Sequence, residues 1–78
     1  MKYLNDYQKQ IVADLEIGTE PEEVENPYSG VSCLLEPAAV ALHDYIKGCE
    51  MFGDYKNMQE AIYLFRYNWP DEYYKLLD

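Results

Sequence analysis

Two sets of apolar residues with helical spacing meet at Gly53, and this pattern constrains the fold of the 78-residue chain more than any other feature. Spacings of three and four residues place each set on one face of a helix. The first set is Ala38, Leu42, Tyr45, Cys49 and Phe52, and the second is Tyr55, Met58, Ile62, Phe65 and Trp69. The pattern predicts an antiparallel helical hairpin over about residues 37–69, with the two stripes packed as core.

Four residues mark the ends of these two helices. Pro37 suits the first turn of a helix, where its missing N–H costs nothing. Gly53 favours a helix end, and Asp54 is a good N-cap for the helix that follows. Pro70 closes that second helix, because the residue before a proline disfavours helical backbone.

Shorter helices are predicted at either side of the hairpin. Apolar residues repeat at three- and four-residue intervals near the start of the chain and predict a helix over about residues 2–16. They are Leu4, Tyr7, Ile11 and Leu15, with Val12 widening the stripe. Residues 71–78 are predicted to form a last short helix with Tyr73, Leu76 and Leu77 turned inward.

Residues 18–36, between the first helix and the hairpin, are predicted to form a long acidic loop. Four glutamates fall within six positions: Glu20, Glu22, Glu23 and Glu25. The segment 26–30 (Asn-Pro-Tyr-Ser-Gly) has turn chemistry, and 31–35 has the composition of a short strand. Because no second strand is evident, we predict no sheet. The fold class is therefore mainly all-α, one small domain over 1–78 with three to four helices.

The net charge of the chain is −9, from 15 acidic and 6 basic side chains. This charge disfavours direct binding to nucleic acid and to anionic membrane surfaces. It suits docking onto a basic protein surface. The alternative is that the charge only keeps the chain hydrated and soluble. No apolar run approaches the roughly 20 residues that span a bilayer, and the N-terminus lacks a signal-peptide core. We therefore expect a cytoplasmic protein.

The chain shows no arrangement typical of an enzyme or a metal site. Cys33, His43 and Cys49 are separated by ten and six residues, which matches no compact zinc pattern. A catalytic thiolate needs an electropositive setting, and this chain is acidic. Both cysteines are expected to be buried thiols. We predict no catalytic residues, no metal and no cofactor.

A second set of aromatic residues lies outside the two main stripes. Tyr63 and Tyr67 are one helical turn apart and should share a face, with Arg66 beside them and Tyr74 further along. Tyrosine and arginine are common anchors of protein interfaces. The alternative is that these tyrosines line the edge of a small core with their hydroxyls in water. The predicted partner-binding residues are the four glutamates together with Tyr63, Arg66, Tyr67 and Tyr74.

Three scattered segments resemble short acidic proteins encoded by tailed bacteriophages. They are residues 26–30, residues 36–42 (Glu-Pro-Ala-Ala-Val-Ala-Leu), and Phe65-Arg66 with Trp69-Pro70 and 73–78. The resemblance leaves the first helix uncovered and carries over no catalytic or binding residue. It implies a product that acts in an infected bacterial cell, where short phage proteins often bind and redirect a host enzyme or defence complex.

Three functions remain in competition. The first is a non-enzymatic module, a phage-encoded modulator or inhibitor that binds a host protein or nucleic-acid-handling complex through the acidic loop and the tyrosine face. The second is a structural or self-associating helical protein, such as a homodimer or a virion or assembly component. Excess aromatic residues in so short a chain could complete a core across a two-fold axis. The third, a small enzyme, has no residue constellation behind it.

Overall fold

A computed structural model describes residues 1–77 of the protein. The described chain is mainly helical, as predicted, with four helices and one small β-hairpin. In chain order the elements are α1 (Asp6–Ala13), β1 (Glu22–Glu25), β2 (Ser32–Leu35), α2 (Pro37–Phe52), α3 (Tyr55–Asn68) and α4 (Pro70–Leu76). Residue 78, the last of the predicted C-terminal helix, lies outside the described residues.

The α2–α3 helical hairpin has the predicted ends. Pro37 opens α2, and Gly53 ends it with a φ of 74°, a left-handed conformation that glycine adopts without steric cost. The backbone N–H of Asp54 then donates to the Cys49 carbonyl (2.9 Å). The Asp54 carboxylate accepts from the N–H of Asn57 at 3.3 Å, which caps α3. Both helix ends are therefore specified by local chemistry.

The core is centred about one residue away from the predicted stripes. Its hydrophobic residues are Ile11, Leu35, Ala39, Leu42, Ile46, Cys49, Ala61, Leu64, Phe65 and Leu76. The small side chains of Ala39 and Ala61 are fully buried and let neighbouring elements approach closely. This rotates the buried face, so Phe52 and Tyr55, both predicted to be core, are exposed. That part of the stripe prediction was wrong.

The prediction that the chain has no sheet was also wrong. β1 and β2 pair as an antiparallel hairpin inside residues 18–36. Val24 lies opposite Cys33 and Glu22 lies opposite Leu35. Val24 and Cys33 are half-buried against the core, whereas Leu35 is fully buried. β1 was missed because three of its four residues are glutamates, which rarely occur in strands. Val24 and the buried Leu35 supply apolar contacts between this pair and the core.

Helix α1 is shorter than the predicted 2–16. Asn5 has extended backbone and accepts the N–H of Gln8 at 2.8 Å, which makes Asn5 the N-cap and leaves the residues before it outside the helix. Ile11 is buried, but Leu4 and Tyr7 are exposed. The core position between Leu4 and Ile11 belongs instead to Gln8, which is fully buried.

Helices α3 and α4 are separated by Trp69. Pro70 disfavours helical backbone at the preceding residue, and Trp69 has a ψ of 68°, outside the helical range. Pro70 itself begins α4, one residue earlier than predicted. The half-buried Trp69 ring packs against Phe65 with 5.4 Å between centroids. Tyr73 and Leu77 are half-buried and Leu76 is buried, so the predicted inward face of α4 is confirmed.

Candidate partner-binding surface

A shallow groove of about 360 Å³ runs beside the C-terminal half of α3. Its lining residues are Leu4, Tyr63, Arg66, Tyr67 and Pro70. We call this surface the tyrosine–arginine groove. Tyr63, Arg66 and Tyr67 share one face of α3 because they are three and four residues apart. Sequence spacing alone placed these three together, and the structure also places them together.

Among the described residues that line the groove, Arg66 is the only cation. Its guanidinium lies over the Tyr73 ring, 5.6 Å from the centroid, a contact that orients the planar group. Within residues 1–77 the only ion pair joins Lys47 and Glu50, at 3.9 Å. Arg66 therefore forms no ion pair with a carboxylate in that part of the chain, and it is exposed beside two tyrosines.

The wall of the groove opposite α3 comes from the N-terminal segment, which sequence reasoning had assigned to a helix. Asn68 holds this segment through two hydrogen bonds to the backbone of Lys2: the Lys2 N–H donates to its Oδ1 (2.7 Å), and its Nδ2 donates to the Lys2 carbonyl (2.8 Å). Gln8 accepts the N–H of Leu4 at 2.7 Å. Leu4 is thereby fixed as an exposed apolar wall.

Gln8 also connects this wall to α3. Its buried side-chain amide donates to the carbonyl of Glu60 at 3.4 Å and to its carboxylate at 3.3 Å. The signal for Gln8 was present in the sequence, because it lies four residues after Leu4 and three before Ile11. It was missed because a polar residue does not count toward a hydrophobic pattern.

Tyr74 does not line the groove, although it was predicted to belong to the same surface. It is exposed on α4 and contacts the ring of Tyr73 edge-on, with 5.5 Å between centroids. Arg66 stacks on that same Tyr73 ring. Tyr74 is therefore connected to the groove only indirectly, through Tyr73.

The four predicted glutamates are all exposed, and they lie on or just before β1. Glu20 precedes the strand, and Glu23 and Glu25 point to the side opposite Val24 because side chains alternate along a strand. The Glu23 carboxylate accepts from the hydroxyl of Ser32 at 3.0 Å. None of the four lines the tyrosine–arginine groove. The predicted site is thus two separate surfaces on different elements.

Besides the buried Leu35, one buried polar side chain attaches the hairpin that carries the glutamates to the helices. Asn26 donates from Nδ2 to the carbonyl of Lys75 at 3.0 Å, and its Oδ1 accepts the N–H groups of Tyr28 (2.9 Å) and Ser29 (3.4 Å). Gly30 completes the turn with a φ of 75°. The turn chemistry predicted for 26–30 is confirmed, and Tyr28 at its tip is 97% exposed.

The two thiols are set in surroundings that keep them protonated. Burial raises the pKa of Cys33, with Glu72 adding to the effect, and burial also raises the pKa of Cys49. His43 is half-buried, and burial together with Lys47 lowers its pKa. Cys33 lies on β2, whereas His43 and Cys49 lie on α2. Among residues 1–77, no three histidine, cysteine or acidic side chains come together closely enough to hold a metal ion.

The longest helix, α2, has 16 residues. In the described part of the chain, no helix combines the length and apolar character needed to cross a bilayer. The chain matches no protein-family model, no curated protein and no solved structure.

Proposed function

We propose that the chain is a non-enzymatic protein-binding module whose main contact surface is the tyrosine–arginine groove. The observation that carries the proposal is the position of Arg66: an arginine without a carboxylate partner in residues 1–77, between two exposed tyrosines. Tyrosine and arginine are enriched among the few residues that contribute most of the binding energy of protein interfaces. The groove volume is near the lower end of the range of about 300–1,000 Å³ for ligand pockets, which suits one anchoring side chain of a partner protein.

The acidic β-hairpin supplies the second part of the proposal. Its exposed glutamates, in a chain with a net charge of −9, favour approach to a basic surface. Charges at the rim of an interface act mainly on the association rate and its salt dependence. The groove therefore sets the lifetime of the complex, and the hairpin sets how fast it forms.

The resemblance to short phage proteins supports a setting for this module. There it would act in the cytoplasm of an infected bacterial cell and modulate or inhibit a host protein. A nucleic-acid-handling complex is a suitable target, because its basic groove complements the glutamates of β1. The acidic module would occupy that groove in place of nucleic acid.

The proposal is tested by affinity capture from bacterial lysate at two salt concentrations, with three forms of the protein compared. The double variant Arg66→Ala/Tyr67→Ala removes the two groove anchors, and Tyr28→Ala removes an exposed tyrosine outside the groove. We expect the same partner with wild type and Tyr28→Ala, and its loss with the double variant. Equal recovery by the double variant would exclude the groove.

The contribution of the hairpin has its own variant. Changing Glu20, Glu22, Glu23 and Glu25 to glutamine keeps side-chain size and removes four negative charges. We expect weaker capture of the same partner at low salt and little further loss at high salt. Undiminished capture at low salt would show that the glutamates do not contribute to partner binding.

A further inference from the structure

The turn between α2 and α3 exposes a cluster of large apolar side chains. Phe52 is 85% exposed and Met51 is 80% exposed, with Tyr55 exposed just beyond Gly53. Unlike the exposed tyrosines elsewhere, Phe52 and Met51 have no polar group to hydrate. Contiguous exposed apolar residues of this kind mark interaction surfaces.

A groove of about 280 Å³ adjoins this cluster, and Gly48 contributes to its lining. A Cβ added to Gly48 would meet no atom within 4 Å. Its backbone has no positive φ, and a glycine inside a helix destabilises that helix relative to alanine. The glycine therefore serves neither the packing nor the backbone geometry of its own chain. Because Gly48 has no side chain, the groove is open at this position.

The charge of this region differs from that of the rest of the molecule. Lys47 and Glu50 beside the cluster neutralise one another in an ion pair at 3.9 Å, which leaves Asp54 as the charged residue among those described as lining the groove. The whole chain carries −9. Two copies of so acidic a chain repel one another over most of their surface. This weakly charged turn is where they can approach closely, whereas a basic partner would be drawn to the acidic remainder.

We infer that this turn surface binds a second copy of the chain in a two-fold, isologous dimer. In such an interface the same surface patch of each copy contacts that of the other. Met51 of each copy inserts into the groove beside Gly48 of the other, and the two Phe52 side chains bury one another. The interface does not overlap the tyrosine–arginine groove, so dimer formation and partner binding are independent.

The test is sedimentation velocity over a dilution series, for wild type and three variants. Phe52→Ser removes the exposed ring, and Gly48→Leu fills the groove without removing any side chain. Leu34→Ser is the matched control, because Leu34 is exposed and apolar on the β-hairpin. We expect wild type to reach twice the 9.2 kDa of one chain. Both turn variants should raise the dimer dissociation constant at least tenfold, and the control should leave it unchanged.

Two further measurements make the result decisive. Circular dichroism of each variant establishes that its helices are intact, so that loss of the dimer is a loss of the interface. Added NaCl should strengthen the dimer, because it screens repulsion between the acidic surfaces. A wild-type chain that stays monomeric at the highest concentration overturns the inference. So does a dimer that survives both turn variants, or one that Leu34→Ser dissociates equally well.

Discussion

Two glycines of one helical hairpin should respond oppositely to the same substitution. Gly48→Ala should raise the free energy of unfolding by about 0.5–1 kcal/mol, because alanine lowers the entropy cost of the helix and its Cβ meets open space. Gly53→Ala should lower it by about 1–2 kcal/mol, because the φ of 74° is costly for a residue with a Cβ. Urea unfolding at one low protein concentration measures both. A loss of stability in Gly48→Ala contradicts the first expectation.

The buried Gln8 should be among the most sensitive polar positions. Gln8→Ala removes a fully buried side chain that accepts from Leu4 and donates to Glu60. We expect a loss of about 1–3 kcal/mol in the free energy of unfolding, measured by urea denaturation. The exposed Gln10, on the same helix, provides the control, and Gln10→Ala should change stability by less than about 0.5 kcal/mol.

The pair formed by Tyr45 and Cys49 predicts how stability depends on alkaline pH. Burial raises the pKa of Tyr45 to about 12, with the hydrogen-bonded Cys49 adding to the effect, and burial also raises the pKa of Cys49. Both groups keep their protons in the folded state to higher pH than in the unfolded chain. Their contribution is therefore complete below about pH 9 and is lost as the pH rises toward 12.

Urea midpoints between pH 8 and pH 11 test this expectation. The wild type should lose stability steadily across the range, and Tyr45→Phe should lose less because one titrating group is gone. A midpoint that stays constant or rises over that range would show that the two groups do not titrate differently on unfolding.

At the scale of elements, the β-hairpin is attached to the helices through Asn26. Asn26→Ala should loosen the attachment of β1 and β2 to α4, because the contact to the Lys75 carbonyl and the two turn hydrogen bonds are lost together while Leu35 stays buried. In hydrogen exchange, we expect faster exchange across residues 22–35 and unchanged protection in α2 and α3. Ser29→Ala, which removes a hydrogen bond from the exposed part of the turn, is the milder comparison. Uniformly faster exchange throughout the chain would show that the hairpin does not open separately.

The elements differ in how far their sequences predict them. The α2–α3 hairpin was predictable because Pro37, Gly53 and Asp54 act locally, each within one turn of the chain. β1 was not, because its pairing depends on a buried Leu35 ten or more residues away and most of its side chains are charged. Strand pairing is specified by contacts that no local pattern contains.

The tyrosine–arginine groove likewise has one part that the sequence predicts and one part that it does not. Tyr63, Arg66 and Tyr67 follow from helical spacing within α3. Leu4 reaches them only through the hydrogen bonds of Asn68 and Gln8, which join segments more than fifty residues apart. Sequence spacing therefore predicts the floor of the groove but not its wall.

At the scale of the whole molecule, the excess of negative charge should make salt stabilising. The chain carries −9, and residues 1–77 contain a single ion pair, so repulsion outweighs attraction. Raising NaCl from about 10 mM to 150 mM shortens the Debye length from about 30 Å to 8 Å. We expect a gain of about 1 kcal/mol and a Tm increase of about 4–8 °C. A Tm that falls with NaCl contradicts this.

The variant with glutamine at positions 20, 22, 23 and 25 tests whether these four glutamates cause the salt dependence of the Tm. It should have a higher Tm than wild type at low salt and a smaller response to NaCl, because part of the repulsion is already absent. An unchanged salt response would place the repulsion elsewhere in the chain.

The break between α3 and α4 has a practical consequence for all of these measurements. Trp69 is the only tryptophan of the chain, it packs on Phe65 in the core, and its neighbour Pro70 lines the tyrosine–arginine groove. The protein therefore contains an intrinsic fluorophore at the edge of its proposed binding surface. We expect emission from Trp69 to change on unfolding and on occupancy of the groove, without any added label.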